Sequence, residues 1–232
     1  MELFSTEPLI LTIEDFITEE ECDYIIKIAK DKIAENKDSK LKHKKNKNIL
    51  NSCLINNDTD KTIKNIFNKA SKLLRTKNNM FESLYVINFK KYQEINPHHD
   101  AWDKNNKEDY KKHCKERGNR VFTLSIYLNN VRQGGETLFN MTKDKIKPLS
   151  KDKIKPLKCK ALLFKNINEN GTLNKKSNYS ELPVTKGEKW ICYLYLREKP
   201  ISKLNNGHTQ KVLHNLPELD LEYIDENISD ED

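Results

Sequence analysis

The residues best suited to chemistry in this chain are His98 and Asp100, which form a His-x-Asp spacing. In an extended strand, side chains two residues apart point to the same face, so this imidazole and this carboxylate can bind one metal ion. These are the two ligand types of the non-haem iron facial triad, which leaves positions open for oxygen and a co-substrate. A motif this short also occurs by chance, so its meaning depends on the rest of the sequence.

Hydrophobic periodicity predicts the elements that must position these two residues. Before residue 80, apolar side chains recur at helical spacing, and Thr18 with Glu21 forms a capping box. From residue 82 the period changes to two, which is typical of strands. Helices are predicted near 18–33 and 58–74, and strands at 9–13, 49–55, 82–89, 120–128, 136–140, 160–165, 181–185 and 189–197. This order favours an α+β fold with a mainly β core, such as a double-sheet jelly roll with helices on one face.

Length and composition indicate one domain without a membrane span. The chain has 232 residues, which is enough for one substantial core. It contains no apolar run of the ~18 residues that a spanning helix needs, and its first residues do not resemble a signal peptide. Its five cysteines are scattered and show no C-x-x-C spacing. We therefore expect reduced thiols and a cytoplasmic or nuclear location.

The charge distribution raises the question of an anionic partner. The net charge is +7, with a dense basic run at Lys40–Lys47 and only acidic charged side chains after Lys211. No aromatic residues interleave with the basic run, as base stacking would require, so we favour a solvated surface over a nucleic-acid site. The segment KDKIKPL occurs at 143–149 and again at 151–157, and we interpret it as a lengthened surface loop or a flap near a site.

Further motifs accompany the His-x-Asp along most of the chain. They are EDFITEEEC at 14–22, the segment 89–100, RVFTLSIYLN at 120–129, GGETLF at 134–139, and the segments 161–164 and 183–190. In content and order, this set resembles the prolyl 4-hydroxylase family of Fe(II)/2-oxoglutarate-dependent dioxygenases. The resemblance implies a double-stranded β-helix (jelly roll, cupin-like) with N-terminal helices packed on its major sheet. It divides the chain into a helical support region at 1–80, an oxygenase core at 81–198 and a C-terminal extension with an acidic tail at 199–232.

The resemblance also implies roles for particular residues and cofactors. These are His98 and Asp100 as metal ligands, Lys189 and Tyr127 as partners of the distal carboxylate of 2-oxoglutarate, Arg120 beside the substrate, and Thr137 and Trp190 as supports of the co-substrate pocket. The implied cofactors are iron, as Fe(II) or Fe(III), and 2-oxoglutarate, with ascorbate as a candidate reductant.

The third metal position departs from the family pattern. The family's S-L-H-x-G-x-P-V falls on 177–184, which puts Tyr179 where the histidine is expected. Three interpretations remain open: Tyr179 binds iron as a phenolate, or it only hydrogen-bonds beside a metal held by the other two ligands, or the site is degenerate. Among the remaining histidines, His99 is expected to point to the opposite face of the strand from His98, and His43, His113, His208 and His214 are expected to be exposed.

The expected activity follows the resemblance. It is hydroxylation of a protein side chain, most naturally proline, in a peptide or protein that could be proline-rich. The alternative is a non-catalytic binding module for a protein or nucleic acid. The presence of Lys189, Tyr127 and Arg120 favours the enzyme, because a protein that does not bind 2-oxoglutarate has no evident physical need for a buried lysine facing a tyrosine hydroxyl. The substrate's identity and the oligomeric state are left open.

Overall fold

The computed structural model describes residues 1–38, 51–139 and 153–200, and antiparallel strands dominate it. The helices are α1 (Glu19–Asp38), α2 (Lys61–Leu73) and α3 (Lys107–Cys114). The strands are β1 (Glu2–Thr6), β2 (Leu9–Ile13), β3 (Asn51–Ile55), β4 (Leu84–Phe89), β5 (Ile95–His98), β6 (Arg120–Tyr127), β7 (Gln133–Gly134), β8 (Thr137–Phe139), β9 (Lys153–Ile154), β10 (Ala161–Lys165), β11 (Tyr179–Glu181), β12 (Val184–Lys186) and β13 (Lys189–Arg197).

Most strands belong to two sheets. The larger sheet has seven strands in the order β1-β2-β10-β6-β13-β4-β3, and the smaller has four in the order β5-β11-β8-β9. Strands β12 and β7 form a separate pair. In the larger sheet, β13 lies between β4 and β6, with Lys189 opposite Phe89 and Ile191 opposite Tyr127. Lys189 and Tyr127, the two residues predicted to bind 2-oxoglutarate, therefore lie on neighbouring strands.

Two apolar clusters lie on opposite faces of the larger sheet. One contains the buried stripes of α1 and α2, so the N-terminal helices pack on this sheet as predicted. The other joins Tyr127, Phe164 and Tyr193 of the larger sheet to Phe139 and Tyr179 of the smaller one. Because successive strand residues point to opposite faces, the five inner strands of the larger sheet, β2, β10, β6, β13 and β4, supply both clusters. The candidate site belongs to the aromatic cluster between the sheets.

The predicted starts of both N-terminal helices are confirmed. The Thr18 amide donates to the Glu21 carboxylate over 2.9 Å, and the Glu21 amide donates to the Thr18 hydroxyl over 3.2 Å. At α2, the Ile63 amide donates to Asp60 over 3.0 Å, so Asp60 is the capping residue. The Tyr24 hydroxyl donates to the other oxygen of Asp60 over 3.1 Å, which ties the two helices together.

Some predicted elements differ from the structure. The strand predicted at 181–185 is wrong, because the chain there forms β11 and β12, and Pro183 between them has no amide hydrogen for a ladder. Helix α3 was not predicted, since it is polar and buries only Cys114, and so leaves no apolar period. In the second copy of the repeat, Ile154 is buried. That part of the segment therefore belongs to the core and is not only a surface loop.

The remaining expectations are answered only in part. All five cysteines are free and buried. No helix within the described residues has the length and apolar character needed to cross a bilayer. The basic run Lys40–Lys47, the first copy of the repeat and the acidic tail lie outside the described residues.

Candidate metal and co-substrate site

The predicted metal ligands meet at one point between the two sheets. Tyr179 on β11 lies directly opposite His98 on β5. The Tyr179 hydroxyl donates to both carboxylate oxygens of Asp100, over 3.2 and 3.1 Å. The Nε2 atom of His98 is 3.6 Å from Asp100 Oδ1. An imidazole, a carboxylate and a phenol therefore converge, as the sequence predicted.

The way in which Asp100 reaches this point differs from the prediction. Strand β5 ends at His98, and Asp100 lies in the bend that follows, so strand alternation does not align the two side chains. The Asp100 carboxylate is instead held by the Thr123 hydroxyl, which donates to Oδ2 over 2.7 Å and accepts from the Asn166 amide over 2.8 Å. Asp100 is only 5% exposed, so this support fixes a buried carboxylate.

The His98 ring is oriented as a metal ligand requires. Its Nδ1 atom lies 2.9 Å from the Asn96 carbonyl, which can only accept, so Nδ1 carries the proton. The other nitrogen then faces Asp100 and is the one that can bind a metal. Burial lowers the pKa of His98, but the hydrogen bond and charge of Asp100 outweigh burial, and the pKa is raised. The His98 side chain is 34% exposed, so the site opens to the surface on this side.

Tyr179 is a neutral phenol in this arrangement. Burial and the charge of Asp100 raise its pKa well above the ordinary value. Its ring is wedged between Phe164 and Phe139, with centroids 5.0 and 5.8 Å away. No cluster of three His, Cys, Asp or Glu side chains that could hold a metal occurs among the described residues. The donors that converge here fit an iron ion if Tyr179 serves as the third ligand.

Lys189 occupies the predicted co-substrate pocket and already has a carboxylate partner there. Its Nζ atom donates to Glu181 over 2.5 Å and to the Gly135 carbonyl over 2.7 Å. Thr137 donates to the same Glu181 oxygen over 2.8 Å, and Tyr193 donates to the other oxygen over 2.8 Å. Lys189 and Glu181 are 0% and 1% exposed. As arranged, this pocket does not fit the distal carboxylate of 2-oxoglutarate, because the chain's own carboxylate is in it.

Glu181 was missed by the sequence reasoning although a signal was present. It stands at the glycine of the S-L-H-x-G-x-P-V pattern, two residues after Tyr179. Residues at this spacing in a strand share a face, so both side chains point into the interior. The ion pair with Glu181 therefore accounts for the buried Lys189 without a co-substrate.

Three other predicted roles are altered. Tyr127 does not contact the Glu181 carboxylate directly. Its hydroxyl is 2.8 Å from the hydroxyl of Thr137, which donates to Glu181. The prediction that Trp190 supports the pocket is wrong. Trp190 follows Lys189 in the strand and so faces the helix-side cluster, where its indole donates to Glu188 over 3.1 Å.

Arg120 lies beside the site but is already engaged. Its Nε and Nη2 atoms each donate to Glu82 over 2.8 Å, and its guanidinium lies 3.5 Å from the Tyr195 ring centroid. Burial lowers the pKa of Arg120, but the bond to Glu82 outweighs it and the pKa is raised. Its Nη1 atom donates to the Asp100 carbonyl over 3.5 Å. In the structure it supports Asp100 and is not directed at an open substrate position.

The other histidines do not complete the metal site. His99 is half-buried, and its Nδ1 atom is 3.5 Å from the Ser177 hydroxyl. His113 is exposed and stacks on Trp102 with ring centroids 4.9 Å apart. The predictions for His43, His208 and His214 fall outside the described residues.

Comparison with known proteins identifies related sequences. Residues 84–197 match the family described as the 2OG-Fe(II) oxygenase superfamily. A probable prolyl 4-hydroxylase 7 of Arabidopsis thaliana is 29% identical over 218 residues, covering 87% of this chain and 66% of the relative. A putative prolyl 4-hydroxylase of Acanthamoeba polyphaga mimivirus is 30% identical over 202 residues, covering 84% of this chain and 76% of the relative.

Solved structures agree with the sequence relatives. A viral collagen prolyl hydroxylase of Paramecium bursaria Chlorella virus-1, in its 2-oxoglutarate complex, has a TM-score of 0.59 and 25% identity, and the match covers 81% of this chain and 94% of that one. A prolyl hydroxylase of Trichoplax adhaerens in complex with a hypoxia inducible factor peptide has a TM-score of 0.53 at 14% identity, with coverage of 82% and 83%. The predicted double-stranded β-helix is confirmed, because these neighbours have that fold.

Proposed function

This chain belongs to the 2OG-Fe(II) oxygenase superfamily, and we propose that it hydroxylates a side chain of a peptide or protein, with proline as the leading candidate. The predicted family is confirmed, and the relatives are named prolyl 4-hydroxylases. The family implies iron and 2-oxoglutarate as cofactors. Ascorbate, the proline residue and the His/Asp/Tyr ligand set are parts of the proposal.

The convergence of His98, Asp100 and Tyr179 carries this proposal. Asn96 orients the imidazole so that Nε2 faces Asp100. Thr123 holds the Asp100 carboxylate, and the Tyr179 hydroxyl lies 3.1 Å from it. An iron ion held by these groups would supply the activation of oxygen that hydroxylation requires.

The exposed side of His98 is where a substrate side chain would approach. The interior side is closed by the ring of Tyr179, which is 1% exposed, whereas the imidazole of His98 is 34% exposed. A peptide is the favoured substrate because one structural neighbour was solved with a peptide bound. A proline-containing peptide is favoured because the relatives are named prolyl hydroxylases.

A second candidate is a non-catalytic protein-binding module on the same fold. The pairing of Glu181 with Lys189 favours it, because the lysine is then explained by stability alone. The two candidates differ in whether the chain binds iron and adds oxygen to a peptide.

Iron content and oxygen addition provide the test. We expect purified protein supplied with iron in air to show a visible phenolate-to-Fe(III) band that is lost in Tyr179→Phe, while Asp100→Ala loses the iron itself. His99→Gln is the matched control and should retain both, because His99 faces Ser177. Mass spectrometry of a proline-containing peptide, incubated with iron and 2-oxoglutarate, should detect one added oxygen atom. Protein without iron, and no addition by either the wild type or Tyr179→His, would contradict the enzyme and favour the binding module.

A further inference from the structure

We propose that Glu181 is an internal competitor of 2-oxoglutarate, because its carboxylate takes the buried ammonium group of Lys189, which would otherwise bind the co-substrate's distal carboxylate. This inference rests on the proposed function. It assigns to Glu181 a role in determining co-substrate affinity. It predicts that the chain binds 2-oxoglutarate only when Glu181 leaves Lys189.

The contacts of Glu181 are those of a carboxylate ligand in a receptor. One oxygen accepts from Lys189 Nζ over 2.5 Å and from Thr137 over 2.8 Å, while the other accepts from Tyr193 over 2.8 Å. Tyr127 completes the chain through Thr137 over 2.8 Å. An ammonium and hydroxyl donors arranged around a carboxylate would serve equally for a carboxylate that entered from outside.

No other described cation in this interior is free to replace Lys189. Arg120 donates twice to Glu82, and Arg197 donates to Glu82 over 3.1 Å and to a backbone carbonyl. Lys160, the remaining buried lysine of the described residues, pairs with Glu14 over 2.7 Å. A dicarboxylate that entered the space between the sheets would therefore have to compete with Glu181 itself.

The position of Glu181 makes the competition direct. It shares the inward face of β11 with Tyr179, so its side chain and the metal-binding groups line the same interior. Its exposure of 1% means that bulk solvent does not screen the pair with Lys189. A ligand that binds only an open minor state has its apparent Kd raised in inverse proportion to the fraction of that state.

The test compares 2-oxoglutarate binding among variants that fill or empty this position. The proteins are the wild type, Glu181→Gly, Glu181→Gln and the double variant Glu181→Gly/Lys189→Met, each loaded with Fe(II) under nitrogen. Binding is measured by calorimetry, and the melting temperature is measured with and without ligand. The second probe is 2-oxobutanoate, which keeps the 2-oxo acid group and lacks the distal carboxylate. Glu94→Gly is the control for the same substitution at an exposed glutamate.

We expect Glu181→Gly to bind 2-oxoglutarate on the order of 100-fold more tightly than the wild type. This factor corresponds to a wild type in which Glu181 has left Lys189 in about one molecule in a hundred. The double variant should lose this gain in affinity. The affinity for 2-oxobutanoate should differ much less among the variants. Glu181→Gln keeps the shape and removes the charge, so it should show an intermediate gain even if Glu181→Gly does not fold. Ligand should raise the melting temperature of Glu181→Gly and leave the wild type and Glu94→Gly almost unchanged.

Equal affinity in the wild type and both Glu181 variants, or a gain that persists without Lys189, would overturn the inference. So would the absence of binding in every folded variant. Failure of the proposed function gives a different result. In that case Glu181→Gly binds 2-oxoglutarate tightly, but no variant adds oxygen to a peptide.

Discussion

Replacement of Lys189 by methionine should destabilise the protein severely. The substitution removes an ammonium group that donates to Glu181 over 2.5 Å and to the Gly135 carbonyl over 2.7 Å. Glu181 would keep only the hydroxyl donors of Thr137 and Tyr193, and its charge would remain buried at 1% exposure. Methionine is similar in length and apolar, so the cavity contribution is small and the unpaired charge dominates.

The magnitude follows from the cost of leaving one partner of a buried ion pair alone. Loss of one partner costs about 3–5 kcal/mol of unfolding free energy. For a chain of this size each kcal/mol lowers Tm by about 2–4 °C, so Tm should fall by roughly 10 °C. The double variant Lys189→Met/Glu181→Gln removes both charges and keeps an acceptor for the two hydroxyls. Its cost should be about 1 kcal/mol, which is typical of one neutral hydrogen bond.

Urea unfolding followed by circular dichroism measures these values, with thermal unfolding as the second observable. Lys186→Met is the matched control, since Lys186 is exposed on β12 and the same substitution there should change little. The four proteins of the cycle, including Glu181→Gln alone, give a coupling energy. If Lys189→Met costs under ~1 kcal/mol, below the range for a buried pair, or if the double variant costs the sum of the singles, Lys189 and Glu181 are not the pair described here.

Three further predictions concern the framework of the site. Burial raises the pKa of Glu82, but Arg120 outweighs burial and holds it below the ordinary value. Glu82 therefore stabilises the fold above its unfolded pKa of about 4.3, and this contribution is lost as the pH falls through the lower folded pKa. In Glu82→Gln, the unfolding free energy measured with urea should depend less steeply on pH below about pH 4.3. The same slope in the variant and the wild type would contradict the assignment. Arg120→Lys should lower unfolding free energy by about 2 kcal/mol, because an ammonium cannot make the paired bonds to Glu82; a wild-type urea midpoint would refute this. Asp60→Ala should cost about 1 kcal/mol by removing the cap of α2, whereas Asp60→Asn, which keeps a capping oxygen, should cost much less in the same assay.

Sequence patterns were sufficient for the long strands of the larger sheet and for the three residues that meet at the candidate metal site. Strands β6 and β13 are mostly apolar and buried along their length, so Tyr127 and Lys189 could be assigned to the interior, and strand alternation gives neighbouring residues opposite faces. The same alternation puts Trp190 on the opposite face, so that role could have been rejected from sequence alone. The bend that carries Asp100 could not be predicted, because its conformation depends on Thr123, which is distant in the sequence.

The partner of Lys189 was hidden for a different reason. Lys189 and Glu181 are eight residues apart on separate strands, and nothing in local periodicity brings them together. The pattern around Tyr179 drew attention to the missing histidine, while the glutamate two residues later stood at a position where the pattern has only glycine. A glycine leaves space for a ligand, and a glutamate both fills that space and supplies the ligand's functional group.

Tyr179 and Glu181 must therefore be interpreted together. Lys189 does not by itself indicate a bound co-substrate, since Glu181 alone accounts for a buried ammonium group. The proposal of catalysis then depends on the candidate metal ligands, of which His98 and Asp100 are held by partners outside the pocket. Those supports do not depend on Glu181, so metal binding at His98 and Asp100 and co-substrate binding at Lys189 can be tested separately. A chain that binds iron and does not bind 2-oxoglutarate is consistent with every contact described, and restoring Tyr179 to histidine alone would leave the Lys189 pocket occupied.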